Sequence, residues 1–167
     1  MAVGLLGFIR VAQESTEQIG EQSFSEAIKQ IHLGANLAIV SDAVFLEALT
    51  SDAICVKNLE VLYLEPHGSL NRRYAQLKLL SSVSVVHCSY FRAEAEALQF
   101  LKAMPSLEDL SFTLMHISDE SVKQLAEFKT LKRISFSGLD VSRTALNALK
   151  AERPDLIISV NKCTYRE

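Results

Sequence analysis

His87 stands beside Cys88, and Asp109 and Ser111 follow 22 and 24 residues after His87. An imidazole next to a thiol is the raw material of a nucleophilic centre, and serine, histidine and aspartate together can relay a proton. Both readings depend on which side chains share a face. Neighbours in an extended strand point to opposite faces. His87 and Cys88 then part company, and Cys88 reads as a small buried hydrophobe. Ser111, His87 and Asp109 can share a face, but serine and histidine are ordinary occupants of an exposed strand, and no G-x-S-x-G turn accompanies them. The chain is therefore read as a non-enzyme with no catalytic residues. Histidines at 32, 67, 87 and 116 and cysteines at 55, 88 and 163 show neither C-x-x-C nor H-x-x-x-H spacing, so no metal ligands are expected. The glycines (4, 7, 20, 34, 68, 138) form no phosphate-cradling loop, and no cofactor is expected.

Bulk properties narrow the partners. At 167 residues and 49% apolar content the chain suits one domain with a sizeable core. A net charge of -3, with no basic cluster beyond Arg72-Arg73, argues against nucleic acid. The apolar stretch Met1 to Ile9 is too short to span a bilayer and lacks a basic flank, so no membrane association is expected. An odd cysteine count and the lack of an N-x-S/T acceptor make the cytoplasm the expected compartment.

The elements that would position these residues follow a period. Leu62, Val86, Leu110, Ile134 and Ile158 are spaced 24 apart, as are Leu64, Cys88, Phe112, Phe136 and Val160. Leu59/Val83/Leu107/Leu131, Tyr74/Leu98/Val122/Leu146 and Leu77/Leu101/Leu125/Leu149 keep the same step. Such self-similarity marks units that stack because none can bury its own apolar face. Within Leu107 to Thr130, Leu110-Ser111-Phe112-Thr113 alternates like a strand, and Ser118 caps a helix that buries Val122, Leu125, Ala126 and Phe128. The next unit uses Ser142 as its cap, with Leu146 and Leu149 facing inward and Pro154 closing the helix. Pro105 occupies the matching place two units earlier. A doubly wound α/β sheet is the competitor, but its βαβ units usually need about 30 residues or more.

The LxxLxL strand, loop and short helix resemble a leucine-rich repeat, most similar to the ribonuclease-inhibitor-like and GALA-type subclasses. That resemblance implies an α/β leucine-rich repeat solenoid, a right-handed β-α superhelix with a short parallel concave sheet and convex helices. It covers residues 35–160 as five repeats, behind an N-terminal cap at 1–34 and ahead of a polar tail at 161–167. The cap would contain an amphipathic helix, Ser23 to Leu33, ended by Gly34. One departure stands out. Where the family places Asn or Cys after the strand, to build a hydrogen-bonded ladder, this chain has His67, Phe91, Met115 and Leu139, so backbone groups there need other partners. The sequence is in this respect similar to degenerate bacterial repeats.

Residues alternating with the core columns form the concave face: Val61, Tyr63 and Glu65; Val85, His87 and Ser89; Asp109, Ser111 and Thr113; Arg133, Ser135 and Ser137; then Ile157, Ser159 and Asn161. The candidate binding set is Val61, Tyr63, Glu65, Val85, His87, Ser89, Asp109, Ser111, Arg133 and Ser135. Tyr and Arg are frequent interface anchors. The expected function is non-enzymatic binding of a protein or peptide on this face. The alternative is a structural or assembly subunit acting through its N-terminal helix or end strand, including a homodimer.

Overall fold

The computed structural model describes residues 28–40, 43–65, 72–89, 92–93, 95–139 and 141–161. Most of the 1–34 cap, His67, Phe91 and the 162–167 part of the tail lie outside the described residues. Apolar-polar alternation yields strands β1 (Leu37–Val40), β2 (Val61–Leu64) and β3 (Val85–Ser89), then a short β4 (Arg92–Ala93). After these come β5 (Asp109–Thr113), a short β6 (His116–Ile117), β7 (Arg133–Ser137) and β8 (Ile157–Asn161). Six of them form one parallel sheet whose order is chain order, β1-β2-β3-β5-β7-β8. The order never reverses, so the sheet has no switch point of the doubly wound kind.

Every strand pair is offset by 24 residues: Leu37 opposes Val61, Val61 opposes Val85, Val85 opposes Asp109, Asp109 opposes Arg133, and Arg133 opposes Ile157. The sequence period is thus the register. It is pinned from inside, because a one-residue slip would turn every core side chain outward. Leu62, Leu64, Val86, Cys88, Phe112 and Phe136 are fully buried. Phe112 and Phe136 stack with centroids 5.8 Å apart.

Parallel strands need crossovers, and each crossover carries helix onto the core face. These are α1 (Ala43–Ser51), α2 (Ala53–Asn58), a 3-10 helix (Arg72–Leu79), α3 (Ala95–Lys102), α4 (Asp119–Gln124) and α5 (Arg143–Glu152). The helices differ in kind and number from unit to unit, the first crossover carrying both α1 and α2. Arg72–Leu79 is 3-10 throughout, and α4 passes into a 3-10 turn at Leu125–Glu127. Within Arg72–Leu79 the buried Tyr74 and Leu77 step by three, a row that three residues per turn aligns on one face.

The helix ends follow the sequence signals. Ser118 and Ser142 accept hydrogen bonds from the backbone N–H of Ser121 and Ala145, satisfying donors that the first turn leaves unpaired. Gly34 has φ +105, and Gly34 N–H donates to Ile31 C=O while Ala35 N–H donates to Gln30 C=O, the paired bonds of a Schellman C-cap.

Beyond the main strands, backbone groups among the described residues find further partners. β4 and β6 pair in parallel as a second small sheet, Arg92 against His116 and Ala93 against Ile117. His116 therefore belongs to a short strand. Leu114 N–H donates to Ser137 C=O, and Gly138 N–H to Asn161 C=O. Leu139 is buried and Met115 packs on the core, so these two positions add apolar contact.

Candidate functional site

Helices cover one face of the sheet, and the other carries two rows that run across the strands. Leu37, Val61, Val85, Asp109, Arg133 and Ile157 form the first, and Ile39, Tyr63, His87, Ser111, Ser135 and Ser159 the second. At ~4.8 Å per strand, six strands span about 24 Å. One flank is apolar, since Leu37 and Ile39 are 41% and 39% exposed beside Val61 and Tyr63. The centre holds hydroxyl and charged groups.

Fixed distances tie the centre together. The Tyr63 and His87 rings stack at 4.5 Å with 25° between planes. His87 Nδ1 lies 2.5 Å from Ser111 Oγ. On the next row, Arg133 Nε and Nη2 donate to the two carboxylate oxygens of Asp109 in a fork. This geometry decides the fate of the serine-histidine-aspartate grouping. Ser111 does reach His87, but both Asp109 oxygens are held by the guanidinium, which leaves the carboxylate committed to Arg133 rather than to the imidazole. Partial burial lowers the His87 pKa, with Asp109 pulling the other way, so the imidazole favours its neutral form. Cys88, behind the sheet, is fully buried, and burial pushes its thiol pKa far up.

Of the expected site residues, Val61, Tyr63, Glu65, Val85, His87, Asp109, Ser111 and Ser135 are half-buried along this face, and Arg133 is exposed. Ser89 needs correction. It is 9% exposed, at the last residue of β3. Sequence reading missed Leu37 and Ile39, although each sits 24 residues before a chosen position, Val61 and Tyr63. Val85, His87, Asp109, Ser111, Arg133 and Ile157 line an open groove of about 280 Å³. That is small beside closed small-molecule pockets, which run from roughly 300 to 1,000 Å³. Comparison with protein-family models, curated proteins and solved structures gave no match. No helix among the described residues is long and apolar enough to cross a membrane.

Proposed function

We propose that this chain is a leucine-rich repeat solenoid whose open, concave face binds a protein or peptide without catalysing a reaction, in the cytoplasm. The solenoid reading is supported by strand order that follows chain order at one constant 24-residue offset. The binding reading is carried by one observation: Tyr63 is held in a stack with His87, which Ser111 in turn anchors. An aromatic ring already fixed loses little conformational freedom on binding, which is how interface anchors gain affinity. The partner would lay apolar side chains over Leu37, Ile39, Val61 and Tyr63 and polar groups over Ser111, Ser135 and the Asp109-Arg133 fork. Replacing Tyr63 and Arg133 together by Ala is expected to abolish capture of partners from the source cell with the urea midpoint nearly unchanged. Undiminished capture by the double variant moves the site off this face.

A second reading has its own support. Val160 belongs to the core column of Phe136 yet is 37% exposed, and Ile157 on the same end strand is 62% exposed. Apolar groups on an edge strand favour addition of another strand. The chain would then act as an assembly subunit through β8, and light scattering at rising concentration tests it; a constant monomer mass rejects self-association.

A further inference from the structure

We propose that His32, Asp52 and Cys55 form a binding site for one divalent cation of the zinc class. His32 closes the helical residues 28–32, Asp52 is the N-cap of α2, and Cys55 lies in the first turn of that helix. Their imidazole nitrogen, carboxylate oxygen and thiol sulfur lie within 4.8 Å of one another. His32 Nε2 is already 2.9 Å from Asp52 Oδ2. The cap divides the carboxylate's work. Oδ1 accepts from Ile54 N–H and Cys55 N–H at 2.9 Å each, which fixes the side chain and turns Oδ2 toward the other two donors.

The donor set selects the ion. Calcium and magnesium require oxygen ligands, whereas one thiolate, one imidazole and one carboxylate suit zinc or cobalt. Ligands at ~2.0–2.3 Å around a tetrahedral ion imply donor separations of about 3.3–3.8 Å. Closing the set opens the 2.9 Å His32–Asp52 contact slightly and shortens separations of up to 4.8 Å by about 1 Å, and the His32 side chain, 37% exposed, is free to take part in that adjustment. The fourth position is left to solvent. Without a cation, burial and the neighbouring Asp52 carboxylate push the Cys55 thiol pKa up to about 11. A doubly charged ion reverses that field. Loading exchanges the Cys55 S–H proton for the metal, releases that one proton, and leaves two anionic ligands to balance the charge. His32 binds through Nε2, with its remaining proton on Nδ1. The ion would brace the helical residues 28–32 against the α1-α2 corner, joining positions 20 apart in sequence.

The test is titration of the full purified chain with Co²⁺ and then Zn²⁺. The expected result is one Co²⁺ per chain with a near-ultraviolet sulfur-to-cobalt band, bleached by Zn²⁺, and a Tm raised by roughly 5 °C at saturating Zn²⁺. Cys55→Ser is expected to lose the band. His32→Ala, which removes a partly exposed side chain and so leaves the core intact, is expected to bind Co²⁺ at least tenfold more weakly and to lose the Zn²⁺ shift in Tm. Cys163→Ser serves as the control that keeps both. Failure of the wild-type chain to give the band, or His32→Ala binding as tightly as wild type, overturns the proposal.

Discussion

Asp109 and Arg133, 24 residues apart and directly opposed on adjacent strands, grip each other through both carboxylate oxygens on the open face of the sheet. The Arg133 side chain is 64% exposed, so solvent and salt screen the pair and it contributes little to folding. Its effect is positional: it holds Asp109 away from His87 and fixes a planar cation over the groove. A double-mutant cycle with Asp109→Asn and Arg133→Ala is expected to shift the urea midpoint by no more than experimental error. A clear coupling in that cycle would make the pair a stabilising element rather than a surface feature.

His87 gives a pH dependence of defined sign. Its folded pKa lies below its unfolded value, because burial disfavours the charged ring. The unfolded chain therefore takes up the proton first. Stability is complete above the unfolded pKa of about 6.5 and declines as pH falls from there toward the lower folded value. Thermal melts from about pH 7.5 to 5 in wild type and His87→Asn isolate this contribution, and the wild type is expected to lose more Tm over that interval. Parallel curves would place His87 in a wetter site than the stack with Tyr63 implies.

Phe112 tests the core. It is fully buried and stacked on Phe136, so Phe112→Ala removes a large side chain from between packed units. A loss of about 3–5 kcal/mol in urea unfolding, with the slope m unchanged, is expected.

Arg153 closes the last units. Its side chain is 13% exposed; Nη1 donates to Phe128 C=O and Nη2 to Leu131 C=O at 2.7 Å each, and Asp155 holds the fork in place. Arg153→Ala removes the guanidinium donor from Leu131 C=O and one of the two donors of Phe128 C=O, which keeps Leu131 N–H, at a cost of about 1–3 kcal/mol. Arg153→Lys is expected to recover only part of that, since a single ammonium cannot reproduce the fork. Amide exchange in β8 measures both, and unaltered protection in Arg153→Ala would count against the latch.

Gly34 tests the start. Its φ of +105 is one that side-chain-bearing residues rarely adopt, although an added Cβ would meet nothing within 4 Å. Gly34→Ala is therefore expected to cost about 1 kcal/mol through the backbone alone, seen as a lower Tm. No change would mean that the Schellman turn rearranges freely.

The sequence carried the sheet well because its signal is redundant. Leu62, Val86, Leu110 and Ile134 each repeat the same constraint, so the period fixes strand, face and register together. The helices are less legible. A row spaced by three residues, such as Tyr74 and Leu77, fits one face of a 3-10 helix as well as an α-helix, and tertiary packing chooses. At the open face the alternation placed Tyr63, His87, Asp109, Ser111 and Arg133 in one field, but it could not say which would bond to which. That Arg133 takes Asp109, and that Tyr63 lies flat on His87, depends on side-chain rotamers that no spacing encodes. Arg153 and the His32-Asp52-Cys55 group were invisible for a similar reason, since their partners meet only through the crossovers.

The constant register has a mechanical corollary. At four of the five junctions one carbonyl serves two donors of the following strand: Asn36 C=O takes Glu60 and Val61 N–H, Glu60 C=O takes Ser84 and Val85, Ser84 C=O takes Glu108 and Asp109, and Glu108 C=O takes Lys132 and Arg133. Tension applied between the two ends of the chain runs across these rows, so the load falls on one strand pair at a time. Such a molecule stretches like a zip, opening in a train of small, similar force steps from whichever end yields first, and recoils in the reverse order.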